Sequence, residues 1–483
     1  MIAWNAFYHY LLLPGAAAKT VTVALVFLGF CFRRSPWAQE AYRYILRIPT
    51  QPFLIGLLVF AGFIRLIWIL WSPHIPPAAA TEDWVILRHA KELASGYGFR
   101  NLEGEYTAVR PIGYALFLSL FYRLMEDPVL LITLFQIIFS LVTIYIVYRI
   151  GVEVSSREVG MLAAIFLTLY PTSIMASKIV LEEHLFIPFW LTGLLVLMRD
   201  FQKPSWKKVI AAGVLFGIAA HLRTYAFAMG LAVAALWLVL KKDLRGAFAR
   251  GITLQLMILI FAIPWAVRNH VRLGSPVLYS TAIGTALYFA NNPTSDVRYP
   301  INPPLEKGGD PGYLQAENEV NRNRAGKKAA FRWIQQQPLT ALQKAAGRVF
   351  YMLGLDRENW VVKDNFHRIR ADRKPPDQKF TAKLEMIDQG YYGVIFLFAF
   401  LGFLIAVFGY RGTPQIATMG WIIAALIYYL SIVALTLGHR KYRFAIEPFF
   451  CLLAAYGFWF IFFGAIRRKE NRVIDTSNNG SAL

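Results

Sequence analysis

Apolar residues run through this chain in blocks about as long as a helix needs to cross roughly 30 Å of hydrocarbon at about 1.5 Å per residue. Such blocks fall near 52–72, 129–149, 158–176, 180–199, 208–221, 226–240, 252–270, 391–410, 415–437 and 444–464. An earlier stretch from Tyr8 to Phe32, interrupted by Lys19, reads as a retained span or a membrane-lying helix rather than a short cleaved leader. Strand-type alternation is not sustained anywhere, which argues against an outer-membrane barrel. The pattern predicts an all-α polytopic membrane protein of about 10–11 transmembrane helices.

The order of the basic residues sets direction. Arg33, Arg34, Arg43 and Arg47 precede the first strong span, and the connections Arg199–Lys208 and Lys241–Arg250 and the tail Arg467–Lys469 are basic as well. The positive-inside bias assigns all of these to the cytoplasm. Alternation then puts 73–128, 177–180, 222–225, 271–390 and 438–443 outside, provided that Pro111–Met125 does not cross. That segment would reach only about 22 Å as a helix, so it is read as a juxtamembrane helix in the first outer loop. The 208–240 region reads as a hairpin turning at Arg223. Within 271–390, apolar residues at helical spacing (Ala329, Phe331, Trp333, Ile334, Leu339, Leu342) predict a small folded outer-loop domain. The expected organisation is therefore 1–50, an apolar segment and basic cytoplasmic loop; 51–270, a transmembrane module whose first outer loop is 73–128; 271–390, the outer domain; 391–465, the C-terminal transmembrane helices; and 466–483, a cytoplasmic tail.

Composition fits the same class. Apolar and aromatic residues make up 57% of the chain and charged residues only 16%, well below a soluble domain. The net charge of +21 is spread over loops, where topology signals and anionic headgroups account for it and nucleic acid does not. Cys31 and Cys451 lie in apolar stretches and make no metal-binding or redox spacing.

With this topology, ionisable residues gather at one membrane face, where their cost tends to mark function. The first outer loop carries Glu82 and Asp83. The next outer turn holds Glu182, Glu183 and His184 at the head of a helix, where the dipole alone would tolerate carboxylates. Arg223, Arg268 and Asn269 follow at other outer ends. Arg440, Lys441, Tyr442 and Arg443 form a basic cluster in a short outer loop, against the usual charge bias, as expected of a phosphate-binding group.

Several short motifs appear in a fixed order. Asp83 is followed by Ala90-x-x-Leu93-x-x-Gly96-x-Gly98-Phe99 and by Arg110-Pro111-x-Gly113-Tyr114. Then come Glu183-x-Leu185-Phe186, Pro264-Trp265-x-x-Arg268-Asn269, Asn291-Asn292-Pro293 and Arg440-Lys441-Tyr442-Arg443 with Pro448. Together they resemble the GT-C superfamily of membrane glycosyltransferases, nearest to the bacterial branch related to protein O-mannosyltransferases and the lipid A aminoarabinose transferase. The resemblance spans about residues 52–465. Ala115 and Ala445 stand where that family often has proline, and Leu87 where a tyrosine is common, which blurs the subfamily.

The resemblance implies transfer of a sugar from a polyprenyl monophosphate to a glycan, lipid or protein hydroxyl outside the inner membrane. A lipid phosphate leaves as an anion, so the site needs cations more than a general acid. Arg440, Lys441 and Arg443 are expected to bind the donor phosphate, with Arg268 and Arg223 as weaker candidates. Arg65, below the outer end of its span, would snorkel to the interface. A carboxylate must take the acceptor proton. Asp83 is expected as base beside Glu82, with Glu183 orienting a substrate, although the two roles could be exchanged. Tyr114, Arg110, Asn269, Tyr442 and His184 are expected substrate contacts. The chain is expected to act as a monomer with membrane lipids around it and without cofactor, a divalent ion on Glu82, Asp83 and Glu183 being left open. The rival readings are a ligase or polymerase using a diphosphate-linked donor and, further off, a lipid-linked-sugar transporter, which would place its site at mid-membrane.

Overall fold

The computed structural model describes residue 5 and residues 16–33, 35–72, 82–297, 305–354, 360–362, 364–365, 378–408 and 414–480. The apolar blocks form helices. The first group is α1 (Ala16–Phe32), α2 (Pro36–Arg47), α3 (Thr50–Trp71), α4 (Glu82–Ala94), α5 (Gly113–Tyr122) and α6 (Val129–Val154). There follow α7 (Arg157–Thr168), α8 (Pro171–Ala176), α9 (Glu183–Gln202), α10 (Trp206–Leu222), α11 (Met229–Lys241) and α12 (Leu244–Leu273). The segment after α12 supplies α13 (Ala282–Ala290), α14 (Glu319–Gln336) and α15 (Pro338–Met352). The chain ends with α16 (Gln378–Phe408), α17 (Pro414–Leu435) and α18 (Glu447–Gly480). Among the described residues, seven helices are long and apolar enough to cross a bilayer. This is a multi-pass helical membrane protein.

Close helix crossings are made at glycine. A Cβ on Gly457 of α18 would lie 2.6 Å from the Phe398 carbonyl of α16, and one on Gly160 of α7 would crowd the Tyr148 carbonyl of α6 at 2.5 Å. A Cβ on Gly113 would stand 2.6 Å from the His221 carbonyl, so this glycine lets α5 lie against the end of α10. At only ten residues, α5 is too short to span, in keeping with a juxtamembrane helix.

The block expected as one span over 158–176 is broken between α7 and α8, and the break explains Arg65. Far from snorkelling to the interface, Arg65 is fully buried. It donates to Ser140 Oγ at 2.9 Å, Ser173 Oγ at 3.0 Å, the Thr168 carbonyl at 3.4 Å and the Leu167 carbonyl at 3.5 Å. These carbonyls lie where α7 stops and the regular helical pairing ends, and in a membrane an unpaired carbonyl costs several kcal/mol. Arg65 is thus a cap for an interrupted helix.

The 208–240 region is the expected hairpin. α10 ends at Leu222, Arg223 is extended, and a 3₁₀ turn over Thr224–Ala226 leads into α11.

The segment carrying α13 and α14 is fastened to the loop between α4 and α5 through Glu319. Glu319, at the start of α14, accepts from Thr107 Oγ1 at 2.5 Å, the Ala108 amide at 2.7 Å and Thr281 Oγ1 at 3.2 Å. The Thr281 amide also donates to the Ala108 carbonyl at 2.8 Å, and the Gly284 amide to Asn323 Oδ1 at 2.8 Å.

Candidate active site

Glu182 and Glu183 sit where α9 begins, and both are buried. The helix N-terminus alone does not explain them, because Glu182 makes no side-chain cap. Both turn instead to Arg223, extended at the tip of the α10–α11 hairpin. Arg223 Nη1 lies 3.2 Å from Glu182 Oε1, and its Nη2 donates to Glu183 Oε1. Arg110, from the loop between α4 and α5, reaches the same Glu182 oxygen at 3.8 Å. Tyr225 and Tyr442 flank the Arg223 guanidinium, each ring 5.9 Å away.

Gln136, a single buried amide in the apolar helix α6, sets the backbone below. Its Oε1 accepts from Tyr114 Oη at 2.9 Å and from the Leu181 amide at 3.0 Å. Its Nε2 donates to the Ile179 and Ser177 carbonyls at 3.0 and 3.2 Å. The 177–181 turn is thereby held in shape, and Tyr114 positions the glutamates' loop.

Arg110, Glu182, Arg223 and Tyr442 line a cavity of about 800 Å³. Its other walls come from the 275–286 segment, from Arg324 and Lys327 of α14, and from Tyr428 and Ile432 of α17. Glu183 supports Arg223 from behind and is not part of the lining; Glu182, which sequence reasoning ranked below it, is.

The structure separates the remaining expected residues by role. Arg268 donates to the Thr107 carbonyl, the Phe99 carbonyl and Asn269 Oδ1, all at 2.8 Å. Asn269 Nδ2 donates to the Val277 carbonyl at 2.7 Å, and Trp265 Nε1 to the Tyr279 carbonyl at 3.1 Å. The Trp265-x-x-Arg268-Asn269 motif therefore pins the two loops that frame the cavity, and neither Arg268 nor Asn269 lines it. His184 is a core histidine, buried with Nε2 3.0 Å from the Ala176 carbonyl and its ring edge-on to Phe444.

The basic cluster differs most from expectation. Arg440, Lys441 and Arg443 are buried, and only Tyr442 of the four reaches the cavity. Arg443 faces inward, with Nε 3.5 Å from Glu447 Oε1, Nη1 donating to the Gly354 carbonyl at 3.2 Å, and its guanidinium 3.6 Å from the Tyr392 ring. Arg440 lies over Tyr351 at 4.7 Å. Glu447, one helical turn beyond Arg443, supplies the counter-charge that the sequence reading overlooked. The arginines that meet Glu182 in the cavity wall are Arg110 and Arg223 instead.

Asp83 is half-buried in the first turn of α4. One and two turns on, Ile86 and His89 border a narrow gap shared with Arg110, Tyr114 and Glu182, so α4 lies against the ion network. The side chain of Glu82 is outside the described residues. Among the described residues, no three of His, Cys, Asp and Glu converge as a metal-ligand set.

His89 packs against Phe99, ring centroids 4.2 Å apart and tilted by 40°. Burial, helped by the charge of Arg110, lowers its pKa to about 4. The unfolded imidazole, near 6.5, binds more protons than the folded one between these values, so stability should fall as pH is lowered through 6.5 toward 4. The expected result is a thermal midpoint in detergent that drops over this window, with a shallower drop in His89→Gln. Equal slopes in the two proteins would rule out His89 as the group responsible.

These features define a class, a multi-pass helical protein with a charged, solvent-accessible site at one end of its bundle, and its motifs resemble the GT-C membrane glycosyltransferases. Residues 109–267, less than half of the chain, match the family model described as dolichyl-phosphate-mannose-protein mannosyltransferase. That segment contains Arg110, Glu182, Glu183 and Arg223, the whole ion network. Among solved structures, the archaeal oligosaccharyltransferase AglB from Archaeoglobus fulgidus, in complex with an inhibitory peptide and a dolichol-phosphate, is 12% identical with a TM-score of 0.48. The match covers 87% of this chain and 52% of that one, so this chain spans about half of AglB. ArnT from Cupriavidus metallidurans bound to undecaprenyl phosphate is 13% identical with a TM-score of 0.44, covering 80% of this chain and 77% of that one. No curated protein matches the chain.

Proposed function

We propose that this protein is an inverting glycosyltransferase of the inner membrane, moving a sugar from a polyprenyl monophosphate to a hydroxyl acceptor on the extracytoplasmic face. The observation that carries this reading is the pair Arg110 and Arg223, held by Glu182 in the wall of the 800 Å³ cavity. In the reaction the bond from the anomeric carbon to the phosphate oxygen breaks, the acceptor oxygen bonds to that carbon from the opposite side, and the acceptor proton goes to a carboxylate. Charge grows on the departing phosphate, where two fixed guanidiniums in a partly buried site stabilise it. Glu182 and Glu183 aim Arg223 and keep it from turning outward. Asp83, on the helix beside this network, serves as the base, accepting the proton late as the hydroxyl acidifies in the transition state. Tyr225 and Tyr442 offer aromatic faces to the sugar. The matched family's name, with its dolichyl-phosphate donor, supports a monophosphate over a diphosphate carrier.

The test is turnover of a labelled polyprenyl-phosphate sugar by the purified protein in the presence of cell-envelope acceptors. Asp83→Asn should lower transfer by about 10²–10⁴-fold while leaving donor affinity near normal. Full activity in Asp83→Asn would sink the assignment of the base. A wild-type protein that never consumes the donor would sink the reaction class.

A further inference from the structure

The cavity carries more positive charge than one lipid phosphate requires. Its lining holds Arg110, Arg223, Arg324 and Lys327 against a single acid, Glu182. Arg110 and Arg223 are matched by Glu182 and by Glu183 behind it. Arg324 and Lys327 are not: among the described residues neither makes an ion pair with a carboxylate, and Arg324 has only Ser275 Oγ, 3.2 Å from its Nη2.

The two residues are three apart on α14 and therefore neighbours on one helix face. Lys327 is half-buried, and burial lowers its pKa. A half-buried ammonium without a counter-ion is unfavourable, and a ligand that brings an anion removes that cost. The helix is also held in place beforehand. Glu319 ties its first turn to the first outer loop, and Asn323, adjacent to Arg324, accepts the Gly284 amide. Finally, α14 lies outside residues 109–267, so this wall is separate from the segment that matches the family model.

We infer that the acceptor carries an anionic group, a phosphate or a carboxylate close to the hydroxyl that is glycosylated, and that Arg324 and Lys327 bind it. This rests on the transferase reading above and names the substrate class for its second site. Arg110 and Arg223 hold the donor phosphate, while the α14 pair orients the acceptor and selects against neutral ones.

Calorimetric binding to the full-length protein in detergent tests this with four probes: glucose 6-phosphate, glucuronate, glucose and undecaprenyl phosphate. At least one of the two anionic sugars should bind much more tightly than glucose, and which one does identifies the anion. The double variant Arg324→Gln/Lys327→Gln should weaken that binding by at least about tenfold, since both charge-assisted hydrogen bonds to the anion are lost. Its affinity for undecaprenyl phosphate should not change. Equal affinity of wild type and variant for the anionic sugars overturns the proposal, as does glucose binding as well as either. A loss confined to undecaprenyl phosphate also overturns it, by giving this wall to the donor. A second measurement needs no variant: acetylation of Lys327, read by mass spectrometry, should slow when the bound anionic sugar is present, and no protection counts against the site. The transferase reading fails separately, through a wild type that binds the anion and never turns over a lipid-linked sugar.

Discussion

Replacing Arg223 by methionine is expected to abolish transfer and to destabilise the protein by about 3–5 kcal/mol, the usual cost of leaving buried charge without its partner. The reason is the ratio of charges at the hairpin tip. One guanidinium serves two buried carboxylates, Glu182 at 3.2 Å and Glu183 in direct hydrogen bond, and Arg110 is further away at 3.8 Å. Without Arg223, two glutamates face each other with half their neutralisation gone. Thermal unfolding in detergent and donor turnover, measured on the same preparations, separate the two consequences. In the triple variant Glu182→Gln/Glu183→Gln/Arg223→Met the charge conflict disappears, so stability should largely return while turnover stays lost. A single variant Arg223→Met that unfolds with the wild type would contradict the network as drawn.

The second large effect is expected at Arg443, for a different reason. Its Glu447 partner, its contact with Gly354 and the Tyr392 ring all lie in the bundle interior, away from the cavity lining. Arg443→Met should again cost about 3–5 kcal/mol, by stranding Glu447. Removing both charges, in Arg443→Met/Glu447→Gln, should recover most of the stability and, unlike the Arg223 case, most of the turnover. Donor affinity in this double variant is the deciding measurement. If it falls as sharply as in Arg110→Gln, Arg443 belongs to the phosphate site after all.

The two arginines show what the sequence could and could not reveal. Helices were legible because each must hide its backbone from lipid within one local segment, and the hairpin at Arg223 followed from two short apolar blocks around a polar break. Candidate chemistry was legible as charge near helix ends. Which charges meet was not, because partners are chosen by the fold across long sequence distances. Arg268 was read as a phosphate ligand, yet its partners are the carbonyls of Phe99 and Thr107, groups every residue possesses and no motif displays. Glu447 was within reach, four residues after Arg443 on one helix face. So was Gln136, the conspicuous amide in an apolar span. Arg324 and Lys327 had no such signal: in a long basic loop they look like any other surface cation until α14 is docked.

The clamp of Glu319 on Thr107 and Ala108 joins positions more than two hundred residues apart. A ribosome that has released the first eleven helices has therefore made the ion network but not the chamber, whose α14 and α17 walls emerge later. Until then Arg110 and Glu182 face an open surface. On the proposed function, reactivity toward a lipid-linked sugar is expected only once these walls have formed, and a nascent chain halted before residue 319 is expected to insert into the membrane while remaining inert.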